Sequence, residues 1–272
     1  MNAGLKRWSA ALIVALSVWG TALAGRPCET RPPEAASVQR AMGLAERTAQ
    51  ALEATGARVV VIARNGQDLS RYRLRWSHLG LAYREDGPVR DDGGAGPPVW
   101  RVVHKLNECG SARADLYRQG LGEFFLDDLF EFKAGIAVLR PDVQAHLLPL
   151  LRDNQRVAQL HEPAYSMVAY PWAQTYQQSN QWAIETLALA EDPGADTRDR
   201  AQAWLAFKGY APTVLRISAL TRLGARMSTA NVAFDDHPNE KRFNDRIETV
   251  TVDSVFTWLE RSGLAERTHV VR

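Results

Sequence analysis

The sequence predicts an α+β fold, an antiparallel sheet with packed helices in a single domain over residues 25–272. Helical and β patterns both occur, but they do not alternate regularly as a doubly wound sheet requires. The sequence has no internal repeat and no linker that would divide it. Its 272 residues, 46% of them hydrophobic and 24% charged, suffice for an apolar core.

The first 24 residues differ from the rest. Lys6 and Arg7 precede an apolar run over residues 10–19, and the following segment 21–24 ends in a small-x-small pattern with Ala22 and Ala24. This order predicts a signal peptide over residues 1–24 and export to the periplasm or the medium. The alternative is an uncleaved anchor. Because no other stretch approaches 18 apolar residues, we expect no transmembrane segment in the mature chain.

Charge and cysteine content restrict the partners. Removing the leader takes away Lys6 and Arg7, so the formal net charge falls from +2 to zero. A neutral chain has no general field for a polyanion, and we expect no nucleic-acid partner. In an oxidising compartment, Cys28 and Cys109 are expected to form a disulfide.

The spacing of apolar residues, and the residues that end each segment, predict the helices and strands. Apolar residues at helical spacing from Val38 to Leu52, ended by Gly56, predict the first helix, and a β-branched run at 58–63 predicts a strand. Strands at 77–84 and 100–106 form an expected hairpin. Further expectations are helical structure at 112–120, 141–149, 178–190 and 197–208, strands at 132–139 and 213–217, an irregular segment at 235–244, and a last helix from Val252 that closes at Gly263.

Three side chains suggest chemistry. His78 and His104 lie on the two strands of the predicted hairpin, where their imidazoles can come within hydrogen-bond reach. Ser179 begins a predicted helix, where free backbone N–H groups stabilise an anion. One histidine would act as base and the other would orient it, which is the logic of an activated nucleophile. Serine is also a favourable N-cap, so the alternative interpretation is that Ser179 only caps its helix.

These motifs resemble a known family. The order His78-Leu-Gly-Leu, then Val102-Val-His104, then the distant segment from Tyr176 through Ser179 to Trp182, resembles the circularly permuted papain-like fold. NlpC-type peptidases and lecithin retinol acyltransferase-like enzymes share that fold. The similarity covers about residues 57–190 and implies a C-terminal αβ extension. The whole chain also resembles a family of exported bacterial proteins of unknown function.

The resemblance implies roles for individual residues. His78 matches the base, His104 matches the orienting residue, and Ser179 stands where the family has its catalytic cysteine. We therefore expect a cell-envelope hydrolase or acyltransferase acting on amide or ester bonds, with cell-wall peptides as the first substrate class. Because the thiol is missing, the alternative is an inactive protein that binds a peptide, glycan or lipid in the same groove. The expected substrate-binding residues are Asn180, Gln181, Tyr176 and Trp172.

Two further features have competing interpretations. Cys109 follows His104 closely and is a rival nucleophile, although the disulfide is the preferred interpretation. A group of carboxylates and one imidazole lies near a proline. Such a group suits either the binding of a metal ion or a tight surface turn. No Gly-rich phosphate loop and no paired Cys-x-x-Cys occurs, so we expect no cofactor and no metal. The cluster consists of Asp235, Asp236, His237 and Glu240.

Overall fold

The computed structural model describes residues 32–87, 91, 93–94, 96–127 and 129–272, with the backbone alone at 227–228. The described chain contains a large antiparallel sheet and a separate two-stranded ribbon, both accompanied by helices. The α+β prediction is therefore confirmed. The strands are β1 (Val59–Asn65), β2 (His78–Glu85), β3 (Val99–Asn107), β4 (Ala114–Gly120), β5 (Glu131–Leu139), β6 (Thr213–Arg216), β7 (Arg246–Thr249) and β8 (Ala265–Val271).

The helices come in two groups along the chain, one before β5 and a larger one after it. A single 3-10 turn, Ser70–Tyr72, separates β1 from β2. The helices are α1 (Ala35–Thr55), α2 (Leu121–Phe125), α3 (Pro141–Arg152), α4 (Asn154–Ala158), α5 (Ser179–Glu191), α6 (Arg198–Phe207), α7 (Ala219–Ser228), α8 (Asn239–Phe243) and α9 (Val252–Arg261).

The large sheet has the strand order β4-β3-β2-β1-β5-β8. Every neighbouring pair is antiparallel, including the predicted pair of β2 and β3. β8 pairs along β5 from Ala265 to Val271. The C-terminal segment is therefore an integral strand of the sheet. β6 and β7 form the separate ribbon, which precedes α7 and α9 respectively.

The two faces of the sheet are covered by different helices. On one face, α1 and α2 bury apolar side chains of β1 and β3 such as Val60, Ile62 and Val102. On the other face, α3, α5 and α9 pack on the alternate residues, for example Leu79 and Leu81 of β2. Because strand side chains alternate, a residue's parity decides which helices it faces.

The helical prediction for residues 112–120 is wrong, because this segment is the edge strand β4. Its backbone pairs with β3 from Asn107↔Ala114 to Arg101↔Gly120, and these tertiary hydrogen bonds outweigh the weak local pattern. The elements β7, β8, α2, α4 and α7 were not predicted from the sequence either. Pro149 does not limit α3, which continues to Arg152, and the segment 235–244 contains the short helix α8.

Several predictions fall outside the described residues. Residues 1–24, the predicted signal peptide, and Cys28 are among them. No described cysteine is free, so Cys109 offers no thiol nucleophile, whereas its pairing with Cys28 stays a prediction. Within the described ranges, no helix combines the length and apolarity that crossing a bilayer requires.

Candidate functional site

A cavity of about 490 Å³ opens at the end of the large sheet where β2 begins. It lies between the start of β2, the amino end of α5, the β6–β7 ribbon and α7, and both His78 and Ser179 contribute to its lining. We call it the sheet-end cavity. Most of its wall is apolar, and this part includes Leu69, Leu74, Trp76, Met167, Val168, Leu215, Ile217, Ala225, Val232 and Phe234.

The side-chain amides of Gln178 and Asn180 hold the amino end of α5 in place. Gln178 is the N-cap, and its side-chain oxygen accepts from the Asn180 N–H at 3.2 Å. The Asn180 side chain accepts from the Leu79 N–H at 3.2 Å and donates to the Val250 carbonyl at 3.0 Å. The interpretation of Ser179 as the N-cap is therefore wrong, because the preceding residue performs that role.

The Ser179 side chain has a different partner. It forms a hydrogen bond with the phenol of Tyr165, which also lines the sheet-end cavity. Burial raises the pKa of Tyr165, so its phenol stays protonated at neutral pH. Ser179 itself is buried at the first turn of α5. The hydroxyl is thus held at the cavity wall by a neutral tyrosine.

The two histidines form a chain of hydrogen bonds across three strands. His78 Nε2 lies 2.8 Å from His104 Nδ1, and His104 Nε2 lies 2.7 Å from Gln119 Oε1 on β4. Gln119 Nε2 in turn donates to Glu123 of α2 at 3.0 Å. We call these four residues the imidazole relay.

The relay dictates the positions of its protons. Because Gln119 presents its oxygen to His104, His104 Nε2 carries the proton and donates it. His104 Nδ1 must then accept from His78 Nε2, which makes Nδ1 of a neutral His78 an acceptor. Burial, assisted by the charge of Arg64, lowers the pKa of His104 to about 4. His104 is therefore neutral at physiological pH.

The imidazoles and α5 lie on opposite faces of the sheet. His78 has the parity of Ala82, which packs in the core beneath α1, and both imidazoles contact the ring of Phe124 in α2. α5 covers the other face, where Leu79 packs. Ser179 and His78 thus reach the same cavity from different sides of β2.

Arg64 of β1 completes the polar group next to the relay. It is the cross-strand partner of His78 and forms an ion pair with Asp127 at 2.7 Å. Its guanidinium also donates to the Phe124 carbonyl and lies 4.9 Å from the centre of that ring. These contacts hold a buried positive charge close to His104, which adds to the effect of burial in lowering the pKa of His104.

The remaining predicted binding residues do not reach the cavity. Gln181 is buried and donates to the Pro171 carbonyl and to Glu185. Tyr176 contacts Asp235 through its hydroxyl, and Trp172 packs edge-on against Tyr210. The structure brings Ser179, His78 and Asn180 together in the cavity lining, and it leaves Gln181, Tyr176 and Trp172 outside that lining.

Glu185 organises a second buried polar network behind α5. Its carboxylate is completely buried, pairs with Arg198 at 3.0 Å and accepts hydrogen bonds from three glutamines. One of them, Gln177, also accepts from the buried Lys105, whose pKa is lowered to about 7 by burial. The glutamines are Gln177, Gln181 and Gln202.

The acidic cluster is a structural turn in which both nitrogens of His237 are used. His237 Nδ1 lies 2.9 Å from Asp236 Oδ1, and Nε2 lies 2.9 Å from the Glu248 carbonyl. The second Asp236 oxygen accepts from the Tyr170 N–H at 2.7 Å. Among the described residues, no group of three His, Cys, Asp or Glu side chains is arranged to hold a metal ion.

The sequence analysis missed four contributors to the site. Gln119, Glu123 and Asp127 belong to segments whose structure was mispredicted or not predicted, so their proximity to the histidines was hidden. Tyr165 lies in the loop before α5, and no sequence pattern connected it with Ser179. The alternation of side chains along paired strands was the signal that could have identified Gln119, since Gln119 lies on the strand next to that of His104 and on the same face of the sheet.

The fold and the site define an α+β protein with a largely apolar cavity at one end of a six-stranded antiparallel sheet. The chain belongs to a bacterial family described as "Uncharacterized protein conserved in bacteria (DUF2145)", whose profile matches residues 51–259. No curated protein and no solved structure matches the chain significantly.

Proposed function

We propose that this protein binds an apolar group in the sheet-end cavity. The observation that carries the proposal is the lining, because apolar side chains supply most of the surface that faces these 490 Å³, although about half of the lining residues are polar. Ligand sites for small molecules typically enclose about 300–1,000 Å³ with this kind of wall. Transfer of an apolar group from water into such a cavity is favourable by about 25 cal/mol per Å² of buried surface.

The chemistry of the wall favours a lipid over the other two ligand classes. A glycan or a polar peptide would leave its hydroxyl or amide groups facing Leu215, Ile217 and Phe234 without partners, which is costly. An acyl chain makes no such demand. Its polar head would meet hydrogen-bonding groups of the wall, among them Gln67 and Ser179.

Titration with a fluorescent acyl probe, a dansyl-labelled fatty acid, tests this proposal. Wild-type protein is expected to raise the probe's fluorescence to saturation, and unlabelled fatty acid should displace the probe. Val168→Trp, which places an indole in the lining, should weaken binding at least tenfold. Val214→Trp is the matched control, because Val214 is exposed on β6 and outside the lining. Absence of saturable binding, or equal loss in both variants, would overturn the proposal.

A second candidate is the hydrolase or acyltransferase predicted from the sequence, and the imidazole relay favours it. In this reaction Ser179 Oγ would bond to the acyl carbon of an ester or amide and pass its proton to His78 Nδ1. The bond from that carbon to the leaving oxygen or nitrogen would break, and the leaving group would take the proton. Water or an acceptor alcohol would then release the acyl group. The neutral His104 would keep the His78 ring oriented.

Labelling with a fluorophosphonate distinguishes the two candidates, because the reagent modifies only activated serines. The enzyme requires labelling that is lost in Ser179→Ala and in His78→Ala. It also requires that Ser77→Ala, a serine of the same wall, is labelled like wild type. No labelling of a wild-type protein that binds the acyl probe would reject the enzyme and leave the binding protein.

The permuted papain-like architecture also remains a proposal. The order of two histidine strands followed by the helix of Ser179 supports it, as does the antiparallel sheet. The opposite placement of α5 and the imidazoles is a departure that favours the binding protein. Export to the periplasm or the medium through a signal peptide is likewise proposed from the sequence alone.

A further inference from the structure

Helix α7 carries its apolar side chains on the wrong side for a helix that packs on a core. Thr221 and Ala225 face inward and form part of the sheet-end cavity. Leu220 is 82% exposed and Leu223 is 57% exposed, although both are large and apolar. An amphipathic helix of a soluble protein normally turns such residues inward. The outward face of α7 therefore lacks a partner among the described residues.

Unpaired positive charge lies next to this helix. Arg216 and Arg246 are direct cross-strand partners in the β6–β7 ribbon, and both are exposed. Two like charges in this position repel each other, and neither forms an ion pair with a described residue. α7 begins three residues after Arg216. Arg222, in contrast, is buried, where it pairs with Asp245 at 2.7 Å and holds the helix to the ribbon.

We propose that α7 and the end of the β6–β7 ribbon form a docking surface for an anionic phospholipid membrane. Leu220 and Leu223 would enter the boundary between headgroups and acyl chains. Arg216 and Arg246 would bind the phosphates of the headgroups. Apolar residues beside basic ones are the combination by which interfacial helices recognise anionic lipid. A protein partner would satisfy the leucines, but the arginine pair selects the anionic surface.

Vesicle co-sedimentation tests the proposal independently of what the cavity binds. Vesicles of phosphatidylcholine containing phosphatidylglycerol are expected to bind the wild-type protein at least tenfold more strongly than pure phosphatidylcholine. The double variant Arg216→Gln/Arg246→Gln should bind the phosphatidylglycerol vesicles roughly 25-fold more weakly, since each basic residue near an anionic surface raises the membrane affinity about fivefold. The double variant Leu220→Ser/Leu223→Ser should bind these vesicles at least tenfold more weakly than the wild type.

Matched controls locate the effect. Phe207→Ser removes a side chain that is 84% exposed on α6, and Arg156→Gln/Arg267→Gln removes two exposed arginines elsewhere. Both should bind like wild type. All variants carry the same apolar N-terminal segment, so binding through that segment would leave the α7 variants unaffected and overturn the proposal. Equal losses in the controls would overturn it too. A self-associated wild type that the leucine variant converts to monomer, with vesicle binding unchanged, would assign the face to a second copy.

Discussion

The Asn180 side chain accepts a hydrogen bond from the backbone N–H of Leu79 and donates one to the carbonyl of Val250. A single buried amide thereby connects α5 to β2 and to the segment between β7 and α9. These three segments carry Ser179, His78 and the back wall of the sheet-end cavity. The shape of the cavity therefore depends on this residue, although Asn180 was predicted as a substrate ligand.

Asn180→Ala is expected to lower the free energy of unfolding by about 1–3 kcal/mol, because it leaves the buried Leu79 N–H without this acceptor and removes one of the two side-chain donors to the Val250 carbonyl. Urea denaturation followed by circular dichroism measures this change. Asn239→Ala is the control, since Asn239 is exposed and bonds only within its own helix. A change below about 0.5 kcal/mol in Asn180→Ala would show that the side chain does not hold the three segments together.

Stability should fall on acidification through the protonation of His104. Its pKa is about 4 in the folded protein and about 6.5 in the unfolded chain, so the unfolded state binds more protons between these values. The free energy of unfolding therefore decreases as the pH falls from 6.5 to 4, by about 3 kcal/mol for this group. Denaturation midpoints across that range should show a smaller slope for His104→Gln. An unchanged slope would contradict the assignment.

The buried carboxylate of Glu185 should be among the most sensitive positions. Glu185→Ala leaves Arg198 without its ion pair and removes one of the acceptors of each of three glutamines, so we expect a loss of about 3–5 kcal/mol. Asp196→Ala breaks the exposed pair with Arg200 and is expected to cost less than about 0.5 kcal/mol. Thermal unfolding of both variants gives the comparison. Similar losses of stability in the two variants would mean that the buried network contributes no more to stability than an exposed ion pair.

Gly80 creates the space that the imidazole relay occupies. A Cβ at this position would lie 2.6 Å from a Val102 methyl and 3.2 Å from the Cβ of His104. Gly80→Ala should therefore cost about 1–3 kcal/mol and displace His104. Gly120→Ala is the control, because nothing lies within 4 Å of a Cβ built there. Denaturation measures stability, and the imidazole NMR signals report the displacement. A fully stable Gly80→Ala with native imidazole signals would refute this account.

The expected disulfide is tested by mass. Protein purified from the periplasm or the medium should gain the mass of two hydrogens on reduction, and a peptide pair joining Cys28 to Cys109 should appear after digestion. Reduction should also lower stability by about 2–4 kcal/mol. A free thiol at Cys109 in the unreduced protein would reject the bond.

Much of the fold followed from local patterns. The helix ended by Gly56 became α1, whose C-cap has a φ of 71° that glycine adopts easily. The strands of His78 and His104 were predicted together, and their imidazoles lie within hydrogen-bond reach. Edge strand β4 escaped prediction because it buries no regular apolar stripe and so lacks the periodicity on which such predictions depend. Helix α7 does carry apolar residues at helical spacing, among them Leu220 and Leu223, but the segment was not recognised as a helix from the sequence.

The arrangement of the site needed information beyond periodicity. Sequence spacing placed Ser179 at the start of α5, but it could not tell which face of the sheet the helix would cover. That choice depends on side-chain parity in β2 and on amides such as Gln177 and Asn180 that bond to other segments. Tyr165 became the partner of Ser179 through the same tertiary packing.

The pairing of β5 with β8 has a consequence for biosynthesis. The backbone edge of β5 at residues 134–139 stays bare until Ala265–Val271 have emerged from the ribosome, more than a hundred residues later. Such an edge is an open template for pairing with another chain. A nascent chain exposes this edge of β5 until synthesis is complete. A truncated molecule that ends before Ala265 would expose the edge permanently. The last strand of the chain thus acts as a safeguard against aggregation as well as a structural element.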